Sequence, residues 1–135
     1  ADFTYCHEDP AVAEKVAREY LSKYYLSVIR HYDFDGSHWS DTNGYQAYEV
    51  SAATIRESGL EAACETFADR QIWGTPEQIV EKWTRRYEMS GELRPVMAMS
   101  YAGMPFDMVA DSLRLIGEKV APELRKLGGK TRAAA

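Results

Sequence analysis

A short apolar segment, a glycine and a helix start follow one another in residues 71–79, which have the sequence QIWGTPEQI. Gly74 suits a sharp turn, because glycine adopts backbone conformations that other residues avoid. Thr75 suits the N-cap of a helix, Pro76 its first position and Gln78 its third, and this combination is a capping box. The segment therefore predicts a strand, a turn and a helix in direct succession.

A second unit of the same kind follows along the chain. Residues 67–73 hold a short predicted strand that ends at 71–73, a second predicted strand covers residues 94–101, and each leads through a glycine-containing turn into a helix. The strand at 94–101 is apolar on both faces, which predicts a buried parallel strand, and residues 2–6 could end a third strand. Consecutive βα units form parallel sheets. The sequence thus predicts a helix-rich α/β fold with two to three parallel strands, including neighbouring strands near 70–73 and 95–100.

Helical periodicity dominates the rest of the chain. Asp9 and Pro10 begin a long predicted helix that runs to Tyr32 and carries apolar residues every four positions. Turn-forming residues then predict a long loop at 33–44. The other predicted helices cover residues 45–58, 61–66 and 76–90, and a last one runs from Pro105 to Gly128–Gly129.

Composition and charge exclude several classes of protein. The 135 residues include 16 basic and 21 acidic side chains, for a net charge of −5, which argues against a nucleic-acid partner. An apolar run of the ~18 residues that a membrane span needs is absent from the sequence, and residues 1–10 do not resemble a signal peptide. Cys6 and Cys64 form neither a disulfide framework nor metal-ligand spacing. These features predict a cytoplasmic protein without a metal.

The small number of predicted strands indicates that the chain is part of a larger α/β fold. Two or three parallel strands cannot close a barrel or cover both edges of their sheet. Exposed apolar surfaces therefore predict self-association, for example as a dimer. Residues 1–127 form the predicted folded segment, and residues 128–135 form a predicted flexible tail.

Three stretches in a fixed order carry a family resemblance. They are residues 6–9 (CHED) before the long helix, residues 73–79 (WGTPEQI), and residues 101–105 (YAGMP) followed by 112–115 (SLRL) and 120–122 (VAP). Together they resemble the carboxyl-terminal portion of the bacterial-luciferase-like, flavin-dependent monooxygenases, most of all the limonene-monooxygenase-like branch. The resemblance covers about residues 3–126. It implies an incomplete (β/α)8 TIM barrel, with the end of strand six, an insertion at about 33–58, and βα units seven and eight.

The resemblance also implies a function. It identifies the chain as a fragment of an oxidoreductase that uses reduced FMN and O2 to oxygenate a small apolar substrate. A separate NAD(P)H-dependent flavin reductase would supply the reduced FMN. The amino-terminal half of the family barrel would provide most flavin contacts, so these 135 residues alone are expected to be inactive. Two other classes stay open: a self-associating module without flavin binding, and a helical interaction domain.

Candidate site residues follow from the rule that barrel enzymes place functional groups at the carboxyl ends of strands and in the turns after them. The cofactor-binding candidates are Trp73, Gly74, Thr75, Tyr101 and Gly103. The helix starts near Thr75 and Gly103 suit a phosphate, although capping and turning alone also explain these residues. Trp73 and Tyr101 suit core packing as well as ligand contact. His7, beside Glu8, is a candidate acid–base residue.

The long loop supplies candidates for a substrate lid. Phe34, His38 and Trp39 lie among its turn-forming residues, and a lid that excludes water suits an oxygenase. A solvated connection explains the loop equally well. The loop is too short for a calcium site and lacks a ligand set for zinc, so a metal is not expected there.

Overall fold

The computed structural model describes residues 1–41, 43–91 and 94–132, the last five as backbone only. Thr42 of the predicted loop and residues 133–135 of the predicted tail lie outside this part. Within it are the strands β1 (Asp2–Cys6), β2 (Ile72–Gly74) and β3 (Met97–Ala98). The helices are α1 (Pro10–Tyr32), α2 (Gln46–Ser58), α3 (Leu60–Asp69), α4 (Pro76–Ser90), α5 (Phe106–Leu115) and α6 (Ala121–Arg132), and a π-helical turn (Ile116–Val120) joins the last two.

The three strands form one parallel sheet in the order β2-β1-β3. Thr4 pairs with Ile72 and Tyr5 with Trp73 on one side of β1, while Phe3 pairs with Ala98 on the other. The predicted helix-rich α/β class and its parallel strands are confirmed. The prediction that the second and third strands are neighbours is wrong, because β1 lies between them.

β2 is a short strand close to the predicted end at residues 71–73, whereas β3 is shorter than predicted. Residues 67–69 belong to α3 rather than to β2, because Phe67 stacks flat on Tyr25, with 4.4 Å between ring centroids. β3 contains two residues, and Val96 beside it is 61% exposed. The prediction of a buried strand at 94–101 is therefore wrong. Within the described part of the chain β3 pairs with β1 alone, so it is an edge strand.

Helix starts follow the predicted signals closely. Asp9 caps α1, since its Oδ1 accepts the amides of Ala11 at 2.8 Å and Val12 at 3.2 Å. Thr75 and Gln78 form the complete capping box at the start of α4. The predicted end of the last helix at residues 128–129 is wrong, since α6 continues through both glycines to Arg132. Glycine lowers helix propensity by about 1 kcal/mol relative to alanine, which does not force a break.

The chain divides into two compact units. The first combines Ala1–Ala17 with Gln71–Ala135 and contains the sheet. Its hydrophobic core packs one face of the sheet against α4 and the helices that end the chain, through Cys6, Ile72, Ile79, Trp83, Ile116 and Val120. The second unit, Arg18–Arg70, contains the rest of α1 with α2 and α3, and the predicted insertion at 33–58 lies in it. Arg18 forms ion pairs there with Glu65 and Asp69.

Among the helices of the described residues, none combines the length and the hydropathy that crossing a bilayer requires.

Candidate functional site

Aromatic side chains gather on the face of the sheet opposite the cluster around Cys6 and Ile72, and two of them, Tyr5 and Tyr101, are buried. Side chains alternate along a strand, so Phe3 and Tyr5 lie opposite the core residue Cys6. Trp73 is the register partner of Tyr5, and the ring of Tyr101 meets Phe3 edge-on at 5.0 Å between centroids. We call Phe3, Tyr5, Trp73 and Tyr101 the aromatic face. Two of the predicted cofactor-binding residues flank β1 on this face, Trp73 beside Tyr5 and Tyr101 beside Phe3.

Tyr101 has a buried hydroxyl that lacks a hydrogen-bond partner among the described residues. The side chain is 7% exposed. Burial raises the pKa of Tyr101 above its ordinary value, and the neighbouring Tyr5 raises it further. The phenol therefore stays protonated at neutral pH and can both donate and accept a hydrogen bond. Buried polar groups in proteins usually have partners, so this hydroxyl marks a place where a polar ligand atom would be stabilised.

The turn after β2 is shaped by Gly74 and by the cap of α4. Gly74 has φ of +143°, and a Cβ there would lie 2.5 Å from Oε1 of Gln78. That Oε1 accepts the amide of Thr75 at 2.9 Å, and the Thr75 hydroxyl accepts the amide of Gln78 at 3.4 Å. Gly74 is thus required by the capping box itself, because the Gln78 side chain fills the space beside it.

The hydroxyl of Thr75 makes its hydrogen bonds within the cap of α4. It also donates to Oε2 of Glu77 at 2.8 Å. The pKa of Glu77 is lowered, first by a hydrogen bond from its own backbone amide and then by the Thr75 hydroxyl. A carboxylate therefore occupies the start of α4, where the helix dipole favours an anion. A phosphate bound at Thr75 would have to displace it.

Trp73 carries a cation on its ring. Nζ of Lys82 lies 4.2 Å from the ring centroid and donates to the Trp73 carbonyl at 2.8 Å. This arrangement combines a cation–π contact with a hydrogen bond. It holds the half-buried indole in one orientation at the carboxyl end of β2.

A tight turn follows β3 and leads into α5. The Met104 amide donates to the Tyr101 carbonyl at 3.1 Å, and Ala102 and Gly103 have φ of 52° and 72°. Two successive left-handed residues reverse the chain in the way a type I′ turn does. Gly103 has open space on the side where a Cβ would be, so the turn leaves room for a ligand beside it.

His7 and Glu8 have separate partners. The His7 amide donates to the Gly74 carbonyl at 3.2 Å, which extends the pairing of β1 with β2. Nδ1 of His7 accepts the amide of Asp9 at 3.0 Å. The Glu8 carboxylate instead pairs with Nζ of Lys119 at 2.5 Å, and this contact lowers the pKa of Glu8. The side chains of His7 and Glu8 thus bond to different partners, and the acid–base role of His7 stays a prediction.

The three lid candidates lie in the second unit and contact one another. The rings of Phe34 and Trp39 stack at 5.3 Å between centroids, and His38 lies 4.3 Å from Trp39. Trp39 is 9% exposed, and its indole N–H donates to the Asp33 carbonyl at 3.1 Å. Tyr48 of α2 packs against both Phe34 and Trp39. The loop thus has a small aromatic core of its own.

The described residues contain no group of three or more His, Cys, Asp or Glu side chains that could hold a metal ion. Searches of protein-family models, curated proteins and solved structures found no match to this chain.

Several residues that shape the candidate site lie outside the predicted set. Phe3 and Tyr5 are two of them, although their alternation with Thr4 and Cys6 is a signal for a two-faced strand. Lys82 carries no sequence signal, since its contact with Trp73 depends on the angle between β2 and α4. The aromatic face is therefore broader than the set of predicted residues.

Proposed function

We propose that this chain is the carboxyl-terminal part of a monooxygenase that uses reduced FMN and O2 to oxygenate a small apolar substrate. The observation that carries the proposal is the aromatic face of the parallel sheet, with the unpartnered Tyr101 hydroxyl on it. Open parallel sheets and barrels bind ligands at the carboxyl ends of their strands. The order of the three sequence stretches that resemble the family adds support.

The residues present suit the ring of a flavin better than its phosphate. A flat ring with polar edges matches aromatic side chains that surround one hydroxyl. Trp73, Gly74, Tyr101 and Gly103 would hold the ring, while Thr75 serves as a helix cap beside the Glu77 carboxylate. FMN, when bound in its reduced form, activates O2. The contribution of this chain is an apolar, water-poor surface and one hydroxyl that orients the ligand.

The proposal extends to the rest of the molecule. In the (β/α)8 barrel that the resemblance implies, β1 would be the end of strand six, the insertion would follow it, and β2 and β3 would begin βα units seven and eight. The observed order β2-β1-β3 differs from that succession of neighbouring strands. A larger amino-terminal portion would provide most of the flavin contacts, and a separate NAD(P)H-dependent reductase would supply reduced FMN in the cytoplasm. Phe34, His38 and Trp39 would form the substrate lid.

Flavin titration tests the proposal directly. The whole encoded protein and the 135-residue chain would be titrated with FMN, and with reduced FMN under anaerobic conditions, while flavin fluorescence is recorded. We expect binding by the whole protein, and product that carries one added oxygen atom when reduced FMN, O2 and a cyclic monoterpene are supplied. Absence of flavin binding by the whole protein would overturn the proposal.

A pair of tyrosine variants examines the observation that carries the proposal. Tyr101→Phe removes the unpartnered hydroxyl, and Tyr20→Phe removes a hydroxyl from α1 as the matched control. We expect Tyr101→Phe to weaken FMN binding about fivefold, as the loss of one hydrogen bond does, and Tyr20→Phe to leave it unchanged. Equal FMN affinities of the wild type and both variants would contradict a role of Tyr101 in flavin binding.

A non-catalytic, self-associating module is the second candidate function. Large apolar side chains are exposed in the first unit, including Phe106 at 85% and Val96 at 61%. Such residues favour association with a second copy. A stable dimer of the whole protein without flavin binding would favour this candidate.

A further inference from the structure

We propose that the second unit carries a docking surface for a cationic segment of a partner protein, at the aromatic residues of the loop between α1 and α2. The rings of Tyr32, Phe34, Trp39, Tyr45 and Tyr48 contact one another there, and we call them the loop cluster. The proposed function gives Tyr32, Tyr45 and Tyr48 no role. The inference therefore goes beyond that function and does not rest on it.

Three rings of the loop cluster are about half exposed. The exposures of Tyr32, Tyr45 and Tyr48 are 56%, 48% and 46%. Trp39, which lies 5.9 Å from Tyr45 and 5.5 Å from Tyr48 between ring centroids, is buried. Exposed apolar patches are typical of interaction sites, and tyrosine and tryptophan contribute strongly to binding energy at protein interfaces. A loop that only connects two helices does not require these side chains.

The charge of this part of the chain indicates which partner fits. Residues 31–49 contain four of the 21 acidic side chains and none of the 16 basic ones, so they hold −4 of the net charge of −5. Arg56 pairs with one of the four carboxylates, that of Glu49. The other three belong to Asp33, Asp35 and Asp41, which are exposed. This charge repels nucleic acid and acidic segments, and it is complementary to arginine and lysine side chains.

Aromatic rings attract cations to their faces, and the chain makes this contact elsewhere. Cζ of Arg86 lies 5.1 Å from the ring centroid of Trp83. Within the residues that the structure describes, no cation lies over the three exposed tyrosines of the loop cluster. Rings beside carboxylates offer an arginine or lysine of a partner both a cation–π contact and an ion pair.

Hydrogen bonds hold the loop in place, so a partner does not have to order it. The Arg56 guanidinium donates to the Gly36 carbonyl at 2.6 Å and also pairs with Glu49. The indole N–H of Trp39 donates to the Asp33 carbonyl at 3.1 Å. Binding to a preorganised surface costs less conformational entropy than binding to a disordered loop. The rings and the carboxylates of the loop therefore form a surface that is ready for a partner.

Fluorescence anisotropy with a labelled peptide tests the proposal. The probe is a fluorescein-labelled peptide of alternating arginine and serine residues, and the control peptide has glutamine in place of each arginine. Both are titrated with the whole encoded protein. We expect saturable binding of the arginine peptide that weakens as the salt concentration rises, because salt screens exposed charges, and no binding of the glutamine peptide. Equal affinities for the two peptides, or binding of neither, would overturn the proposal.

Two pairs of variants separate the docking surface from a general attraction between an acidic protein and a cationic peptide. Tyr45→Leu removes a half-exposed ring, and its control is Tyr20→Leu, because the ring of Tyr20 already carries Lys23. Asp41→Asn removes a charge from the loop, and Asp111→Asn removes one from an exposed position of α5. We expect about threefold weaker peptide binding in Tyr45→Leu and Asp41→Asn, and unchanged binding in both controls. Equal weakening in each variant and its control would overturn the proposal.

NMR of the whole protein locates the bound peptide. Trp39 belongs to the loop cluster, whereas Trp73 and Trp83 lie in the first unit. We expect the arginine peptide to shift the indole N–H signal of Trp39 and to leave the other two unchanged. Shifts of Trp73 or Trp83 with an unchanged Trp39 would overturn the proposal. Conversion of a dimer into a monomer by Tyr45→Leu would identify a second copy as the occupant, and the assignment to a separate partner would be wrong.

Discussion

Gly74 shows most clearly how a single residue is constrained at the site. Its φ of +143° is a conformation that other residues rarely adopt, and Oε1 and Cβ of Gln78 fill the space that a Cβ would need. We expect Gly74→Ala to lower the free energy of unfolding by about 1–3 kcal/mol, because backbone strain and the clash with Gln78 add up. Urea denaturation measures the change.

Substitution of Gly117 provides the matched control for Gly74→Ala. Gly117 lies in the π-helical turn, and a Cβ there would meet nothing within 4 Å. Gly117→Ala is expected to leave stability unchanged or to raise it by up to about 1 kcal/mol, as helix propensity predicts. Equal effects of the two substitutions would contradict the role assigned to Gly74.

At the scale of elements, Ser112 joins the end of β1 to α5. Its buried Oγ accepts the amide of Cys6 at 2.8 Å. Ser112→Ala leaves this buried amide without an acceptor, so we expect a loss of about 1–3 kcal/mol in the free energy of unfolding. Ser90→Ala, whose exposed hydroxyl bonds within α4, should change it by less than about 0.5 kcal/mol. Similar losses in both variants, measured in urea, would show that the Cys6 amide does not depend on Ser112.

The ion pair between Glu8 and Lys119 also links two elements, and it predicts a pH dependence. Lys119 lowers the pKa of Glu8 below its ordinary value of 4.5, and the pKa of Glu77 is lowered at the start of α4. A carboxylate whose pKa is lower in the folded state stabilises the fold above its ordinary pKa, and this contribution is lost as the pH falls through the folded value. Stability should therefore decline below about pH 4.5.

Charge-neutral variants measure these contributions. In Glu8→Gln and Glu77→Gln we expect a smaller decline of the urea midpoint between pH 6 and pH 3 than in the wild type. Glu57→Gln, at an exposed position of α2, is the control. A decline that is the same in all four proteins would place the acid sensitivity elsewhere.

At the scale of the whole molecule, the exposed apolar residues of the first unit predict self-association. Phe106, Val96 and Leu113 are 85%, 61% and 54% exposed. β2 and β3 each pair with β1 on one side within the described residues. We expect sedimentation at tens of micromolar, roughly the range for a moderate interface, to show a dimer. A monomer at these concentrations would contradict the prediction.

Local signals predicted the helices well and the strands less well. The caps at Asp9 and Thr75 depend on residues within one turn, so their positions could be read from neighbouring positions in the chain. The strand at 94–101 was predicted too long, because the exposed edge at Val96 depends on distant residues.

The candidate site shows the same division. The aromatic and glycine residues of the two turns were identified as a set, since the carboxyl ends of parallel strands meet at one edge of a sheet. Their partners were not: Tyr101 meets Phe3 across 98 positions of sequence, and Glu8 pairs with Lys119 across 111. The placement of these residues in turns was predictable, whereas the pairing of groups far apart in sequence was not.

The sequence by itself determined the α/β class, the helix starts and the glycine-dependent turns, because each depends on the conformational preferences of a few adjacent residues. The tertiary structure decided the strand order, the length of β3, and the pairing of Glu8 with Lys119. These features depend on which distant surfaces pack together. β1 is the central strand because it pairs with β2 along one edge and with β3 along the other. Hydrogen bonding between strands is not encoded in either strand alone.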